Sequence, residues 1–394
     1  MLSRRHFVQL SSAAAVAFTA IRARSAGAEA QGGESLPPSI ARLTSMRDRA
    51  KPITNDERRA RVERARRLMA EQKIDAIMLA GGTSTVYFSG IRWGLSERLF
   101  AVVLPVRGAP FIVCPAFEED RAREQIAMSP FATDADVRTW EEHESPYQRI
   151  AQGLKDRGIS SGRLGVEETV RFVFSDGVAN AAPSISLTSG TPVTAGCRMV
   201  KDAHELQLMR LASEVTLKAY AAAHQALADG MTQNDFARLV SAAHGKLGFQ
   251  GGAGVQVGQY SALPHGSITP QTIREGTILL IDGGCTVEGY QSDISRTFVL
   301  GRPADKMKQV FDIVKQAQTA ALKAARPGVA CEAVDAAARK VITDGGFGPD
   351  YKHFTHRVGH GIGMDGHEWT YLVRGNTTPL AAGMTFSDEP GIYI

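Results

Sequence analysis

From Thr54 onward the chain alternates between the two hydrophobic periods that mark helices and strands. Val62, Ala65, Leu68 and Met69 recur at helical spacing behind Thr54 and Glu57, a capping-box pair. A short apolar run at 74–80 reads as a buried strand, and further runs at 99–104 and 111–114 are separated by a Gly-Ala-Pro turn. Residues 117–128 read as a helix, and 136–140 and 163–166 as strands. This βα alternation predicts an α/β domain over 54–195.

A different organisation begins near 194–200. Asp202 with Glu205 is a second capping box, opening a helix expected to reach about 228, and another helix is expected over about 232–246. Strand-like segments follow at 252–258, 277–281 and 294–300. Amphipathic patterns then cover 304–325, stopped by Pro327-Gly328, and 332–343. Helices followed by consecutive strands predict an α+β layer over 200–394 rather than a doubly wound sheet. No P-loop motif occurs, which argues against a nucleotide cofactor.

With 394 residues, two domains are the default. The formal charge of +4 comes mostly from residues 1–30, which hold Arg4, Arg5, Arg22 and Arg24 against Glu29. Without them 41 basic residues face 40 acidic ones, so charge gives no case for nucleic acid or an anionic membrane. Arg4-Arg5 precede an apolar run too short for a stable membrane span, and small-residue sites follow at Ala28 and Ala30. Residues 1–30 therefore resemble a twin-arginine signal peptide, which implies export to the periplasm or outside. Gly32-Gly33 and Pro37-Pro38 mark 31–53 as a linker. Cys114, Cys197, Cys285 and Cys331 have no CxxC spacing and give no disulfide framework.

The chemistry concentrates in the last third. Asp282 stands at the end of the expected strand 277–281, and Asp293 begins the next one, so a hairpin would bring the two carboxylates together. Two carboxylates that close raise each other's pKa unless a cation lies between them. His356, His360 and His367 punctuate the glycine-rich run HRVGHGIGMDGH, where Gly359, Gly361 and Gly363 make a helix unfavourable. Glu389 follows in SDEPGIYI, its backbone restricted by Pro390. Oxygen donors with one imidazole suit manganese, cobalt, zinc or iron(II). Two such ions would polarise a carbonyl and activate a shared water as nucleophile.

The segments IDGG…SDISRTF, PHGSIT, HRVGHGIGMDGHE and GMTFSDEPGIY, in that order, resemble the pita-bread metallopeptidases that include aminopeptidase P and prolidase. RARRLMAEQKIDAIMLAGGTSTVYFSGI resembles their creatinase-like N-terminal domain, so the likeness covers about 54–394. It implies an α/β creatinase-like domain followed by an α+β pita-bread catalytic domain. It also implies two divalent ions, manganese favoured, with Asp282, Asp293, His360 and Glu389 as ligands and Glu389 accepting a proton. His265, His356 and His367 would position substrate and stabilise the tetrahedral intermediate. The implied substrate is a proline-containing di- or oligopeptide, cleaved before proline, and the implied assembly is a homodimer. Arg374 is a candidate for pairing with a dipeptide's terminal carboxylate, which favours a dipeptidase.

The same fold also serves creatinases, dimethylsulfoniopropionate lyases and ligand-defective peptide-binding modules. Retention of the four ligands disfavours the creatinase and binding readings. The family places one further bridging glutamate beyond the EPGIY motif, whereas the sequence ends at Ile394, five residues after Glu389. The chain is accordingly expected to be an incomplete record of a longer protein, binding a second metal poorly on its own.

Overall fold

The computed structural model describes residues 35–394. The expected signal peptide lies outside the described residues, as do the first residues of the expected linker. The rest of that linker is anchored: Ile40, Met46 and Ile53 are buried in the core of the second domain beside Leu208, Leu211 and Leu247. Ser39 Oγ donates to Ala222 O at 2.8 Å and Met46 N to Leu247 O at 2.9 Å. Three apolar side chains that find a hydrophobic wall outweigh the loop-like composition around them.

Helix α1 (Asn55–Gln72) starts on the expected capping box, with Glu57 Oε2 accepting Thr54 N at 2.6 Å. It covers one face of a six-stranded mixed sheet in the order β4-β3-β2-β1-β5-β6. The strands are β1 (Ala76–Leu79), β2 (Ala101–Pro105), β3 (Phe111–Pro115), β4 (Asp136–Trp140), β5 (Gly162–Val166) and β6 (Ile185–Ser189). Strands β1 to β3 are buried at every residue because helices lie on both faces. Ile77 and Leu79 pack toward α1, with α2 (Gly82–Ser89), α3 (Glu119–Ala127) and α6 (Thr191–Arg198). Ala76 and Met78 face α4 (Pro146–Lys155) and α5 (Phe172–Ala181). Helices α2, α4, α5, α6 and strand β6 are additions to the sequence reading. Cys197 on α6 is buried in this first core, two residues past the expected domain end at 195.

The second domain opens with α7 (Ala203–His224), whose end falls before the expected 228, and α8 (Gln233–Lys246). Both pack beneath an antiparallel sheet in the order β10-β8-β7, formed by β7 (Gly251–Val257), β8 (Ile278–Val287) and β10 (Ile294–Val299). The short β9 (Tyr290–Gln291) pairs with the end of β8. Helices α9 (Asp305–Ala324) and α10 (Cys331–Ile342) follow, then the ribbon of β11 (Gly359–Gly361) and β12 (Glu368–Leu372). No helix among the described residues is long and apolar enough to cross a membrane.

Strand β8 corrects the sequence reading in one respect that matters. It runs on through Asp282-Gly283-Gly284 to Val287 instead of stopping at Ile281. Leu279, Ile281, Cys285 and Val287 alternate into the core, so Asp282 projects to the open face and is exposed. Alternation, not strand termination, keeps its charge in contact with water.

Candidate metal centre

Two arms carry the acidic and histidine residues. The first is the β8–β10 hairpin. Its register sets Asp282 opposite Ser295, and Ser295 Oγ donates to Asp282 Oδ1 at 2.8 Å. Asp293, just before β10, is the diagonal neighbour of Asp282 on the same face. Glu288 (φ 49°) and Gly289 (φ 92°) form the two-residue turn at the tip, as positive φ at both positions requires. Gly284 is obligatory here, since a Cβ would run into the carbonyl oxygen of Ser292, the residue before Asp293.

The second arm is β11 with the segment leading to Glu389. Gly361 bridges to Phe386, Ser387 N donates to His360 O at 2.8 Å, and Glu389 N donates to Val358 O at 2.9 Å. Gly359 permits this approach, because a Cβ there would strike Ser387 O. The run 361–366 has G-x-G-x-x-G spacing, but it leaves a strand and leads into β12, not a helix, so no helix N-terminus is present for a pyrophosphate.

The arms meet at His360. Its Nε2 lies 3.0 Å from Glu389 Oε1 and 3.5 Å from Asp293 Oδ2, and its Nδ1 donates to Gly361 O at 3.0 Å. A carbonyl only accepts, so Nδ1 carries a proton, and the contact of Nε2 with the carboxylates is a bond only with a second proton on Nε2, the proton a cation would replace. Burial opposes the charged ring, but the bond to Glu389, the Gly361 carbonyl and the Glu389 and Asp293 charges outweigh it and raise the pKa above 6.5. Burial and the charges of Asp282 and Glu389 push Asp293 up to about 6, with His360 pulling the other way. For Glu389, burial is outweighed by His360 and by Ser387, whose Oγ donates to Oε1 at 2.8 Å, and its pKa falls.

The other histidines surround this cluster. The His367 ring stacks on His360 with centroids 3.7 Å apart. Burial and the neighbouring His360 and Arg357 lower its pKa, which keeps it neutral. Arg357 Nη2 donates to His367 Nδ1 at 3.4 Å, leaving the proton on Nε2. His356 is engaged at both nitrogens: Nδ1 donates to Arg357 O at 2.8 Å and Nε2 accepts from Tyr393 Oη at 2.8 Å. Burial and the Glu389 and Asp282 charges push the Tyr393 phenol up to about 12, so it remains a donor. His265 stands exposed on the 263–270 loop. Arg374 does not join the group. It is exposed and paired with Asp350 at 2.6 Å.

The donor set suits divalent cations. Asp282, Asp293 and Glu389 converge, and no lysine or arginine among the described residues forms an ion pair with any of them. Oxygen or nitrogen donors about 2.0–2.2 Å from one ion stand roughly 3.0–3.5 Å apart, the spacing of His360 Nε2 to its two carboxylate neighbours. As the side chains stand, no group of three or more His, Cys, Asp and Glu among the described residues closes into a metal cage. The donors satisfy one another instead, which is how such a set compensates its charge without a cation.

The first domain grips both arms. Arg198 on α6 pairs with Asp365 and Glu368, and Lys201 Nζ lies 3.0 Å from Glu368 Oε2. Buried Arg61 on α1 donates to Tyr87 O at 3.1 Å and to Tyr290 Oη at 2.7 Å, while Tyr290 donates to Glu205 at 2.7 Å. Gln291 N and Nε2 donate to Gly363 O and Met364 O, both at 2.8 Å, tying the hairpin to the histidine loop. None of Ser295, Ser387, Tyr393, Arg357 and this network was anticipated from the sequence. Ser295 and Ser387 lie within two residues of a candidate ligand, which is the signal that points to them.

A three-layer α/β domain feeding an antiparallel sheet with an acidic and histidine cluster on its open face defines a two-domain metal-dependent hydrolase. Residues 207–394 match the model of metallopeptidase family M24, and residues 61–200 match the creatinase/prolidase N-terminal domain. The chain is 33% identical to an Xaa-Pro dipeptidase of Lactobacillus delbrueckii subsp. lactis, covering 83% of this chain and 88% of the relative. It is 33% identical to a probable dipeptidase PepE of Mycobacterium tuberculosis, covering 82% and 85%. Among solved structures, dipeptidase PepE from Mycobacterium ulcerans superposes with a TM-score of 0.80 at 32% identity, over 87% of this chain and 91% of that one. A prolidase from Thermococcus sibiricus gives 0.76 at 28%, over 87% and 91%. The chain belongs to metallopeptidase family M24, with a creatinase-type N-terminal domain, and is a peptidase.

Proposed function

We propose that this protein hydrolyses the X-Pro bond of short peptides, dipeptides above all, using two divalent ions, with Asp282, Asp293, His360 and Glu389 as the ligands this sequence supplies. The observation that carries this is the meeting of His360 Nε2 with Glu389 and Asp293, a donor set with excess negative charge and no lysine or arginine partner among the described residues. The similarity to Xaa-Pro dipeptidases supports the substrate class. Oxygen-rich ligation with one imidazole supports manganese, with cobalt, zinc and iron(II) as neighbours in preference.

When bound, the ions supply Lewis acidity at the scissile carbonyl and a water acidified toward neutrality. The chain's own groups do the rest. Glu389, ionised and steadied by Ser387 Oγ, is placed to accept the proton that the attacking water loses. His367, neutral with its proton on Nε2, offers that N–H to the developing oxyanion. His356 holds the Arg357 carbonyl and Tyr393 Oη, so its part is to orient the loop that carries His360. His265, exposed on the 263–270 loop, would contact substrate.

Comparing turnover of Ala-Pro with Ala-Pro-Pro-Ala tests the preference. Faster cleavage of the dipeptide is expected; equal or faster cleavage of the tetrapeptide makes the protein an aminopeptidase instead. Arg4-Arg5 ahead of the apolar run support export by the twin-arginine route to the periplasm or outside. Fractionation of cells expressing the full chain and an Arg4→Lys, Arg5→Lys double variant checks this, since loss of the pair should hold the protein inside. A homodimer belongs to the same reading and rests on the family resemblance; sedimentation equilibrium measures it.

A further inference from the structure

Helix α10 buries two opposite charges in the core of the second domain. Asp335 is 1% exposed and Arg339, one helical turn on, is 7% exposed. Arg339 Nε donates to Asp335 Oδ2 at 2.6 Å, and Nη2 donates to Oδ1 at 3.1 Å. The neighbouring α10 positions Val334, Ala338 and Ile342 are apolar and pack with Phe354, Val358 and Leu372. An apolar pair of similar volume in such a place is often as stable as an ion pair or more so, because it spares the desolvation of two charges. Stability alone therefore gives no reason for this one.

The reason lies in what else the pair holds. A guanidinium has five N–H groups, and two of them go to Asp335. Nη1 donates to Phe354 O at 2.9 Å and to Asp350 O at 3.4 Å, and Nη2 also donates to His356 O. Every N–H of Arg339 is thus engaged. Asp335 Oδ1 in turn accepts Val358 N at 2.9 Å, an N–H shared with Leu372 O at 3.2 Å. Phe354, His356 and Val358 are alternate residues, the spacing at which an extended chain turns one edge toward a neighbour. The rings of Tyr351 and Phe354 lie against the guanidinium, 4.0 and 4.3 Å from Cζ to the ring centres. Both candidate ligands take their place from this segment. His360 is two residues beyond Val358, and Val358 O accepts Glu389 N at 2.9 Å.

We propose that Asp335 and Arg339 are positioning residues for the metal centre, fixing the backbone at 354–358 so that His360 Nε2 and Glu389 stand at ligand spacing. This rests on the reading of His360 and Glu389 as ligands. Neither member of the pair touches the site. They act through Val358, whose N–H meets Asp335 and whose carbonyl holds the Glu389 backbone. The arrangement depends on the shape of the cation as well as its charge. A lysine at 339 would still face Asp335, but its ammonium has three donors on a flexible stem and no planar fork. It would keep the ion pair and release loop carbonyls. Groups that orient a ligand from outside the first contact layer act on metal affinity in this way, by holding the donor where the ion needs it.

The test titrates manganese calorimetrically into the chelator-stripped full chain and into Arg339→Lys, Arg339→Met, Asp335→Asn and Ile342→Ala. The temperature is one at which circular dichroism shows each protein folded. Ile342→Ala opens a cavity on the same helix, and its side chain makes none of these bonds, so it serves as the control for lost stability. Arg339→Lys should bind manganese about tenfold more weakly than the wild type, and Arg339→Met and Asp335→Asn about 10- to 100-fold more weakly. Ile342→Ala should stay within about twofold, its loss being one of stability and not of ligand placement. In the metal-free proteins, amide exchange at Val358 and Glu389 should quicken in the Arg339 and Asp335 variants beyond their loss of global stability, and should not do so in Ile342→Ala. Arg339→Lys with wild-type affinity and protection overturns the proposal, since charge alone would then suffice. Equal weakening in Ile342→Ala also overturns it, and reduces the pair to part of the core. If Arg339→Met does not fold, Arg339→Lys and Asp335→Asn decide the matter. Failure of the ligand reading has a different signature: the wild type itself would take up no manganese, and the proposal would fall with it.

Discussion

His360 Nε2 stands 3.0 Å from Glu389 Oε1, so a histidine on the β11–β12 ribbon and a carboxylate from the chain's last segment share one bond that a cation would replace. Removing either partner leaves the other buried or half-buried among carboxylates. His360→Ala and Glu389→Gln should each lower kcat/KM on Ala-Pro by at least about 100-fold. Adding manganese should raise the Tm of the stripped wild type, as binding to the folded state alone requires, and should leave the Tm of His360→Ala nearly unmoved. A thermal-shift titration reads this directly; a full manganese response in His360→Ala removes that residue from the ligand set.

Two glycines fix the backbone approach that aligns the arms. At Gly284 a Cβ meets the Ser292 carbonyl, and at Gly359 it meets the Ser387 carbonyl, both backbone atoms that cannot swing aside. Gly284→Ala and Gly359→Ala should each destabilise by about 1–3 kcal/mol and cut activity further than their stability loss explains. Gly276→Ala is not a matched control, because its φ of 80° adds strain of its own. Gly245, with open space around its Cβ position, is the better one. Urea unfolding with parallel kinetics separates the three.

The Arg61–Tyr290–Glu205 network joins α1 of the first domain to the tip of the ligand hairpin. Tyr290→Phe deletes the Oη that accepts from Arg61 and donates to Glu205, leaving both with fewer partners in a closed space. A loss of about 1–3 kcal/mol is expected. Hydrogen exchange at Gln291 and Ser292 should quicken, since their neighbour anchors the tip. Unchanged protection there would mean that Ser292 and Gln291 hold the hairpin without help from the first domain.

Stability should also carry a pH signature from the start of α1. Burial works against the Glu57 carboxylate, but hydrogen bonds from the Thr54 backbone and hydroxyl and from His204 outweigh it and hold the pKa at about 2, against an ordinary 4.5. A depressed carboxylate stabilises the fold above its unfolded pKa and loses that contribution as pH falls through the folded one. The stability gap between wild type and Glu57→Gln should therefore be full above pH 4.5 and shrink as the pH drops from there toward 2. Denaturant titrations from pH 7 down to pH 3 check the trend. A gap that widens on acidification contradicts it.

Much of this was legible in the sequence. The capping boxes at Thr54 and Asp202 start their helices as local chemistry requires, and Asp136–Trp140 forms the strand that its pattern predicts. Helix α2 was not legible, because Gly-Thr-Ser-Thr favours no helix and only the burial of Tyr87 and Phe88 against the sheet holds it. Strand β8 was cut short because Asp282-Gly283-Gly284 reads as a turn, whereas pairing on both sides carries it through to Val287. For the site, residue types and order marked out Asp282, Asp293, His360 and Glu389 as a group. The partners that set their protonation, Gly361 O, Ser387 and Tyr393, are products of tertiary approach. Arg374 shows the converse error: a suggestive position, with an Asp350 partner that only the fold reveals.

The most direct measurement is proline release from Ala-Pro by the full chain, first stripped with a chelator and then reloaded with manganese, alongside Asp293→Asn. The account predicts negligible release from the stripped protein, restoration by the metal, and a failure of Asp293→Asn to recover. Release that survives chelation, or that Asp293→Asn recovers in full, would contradict it.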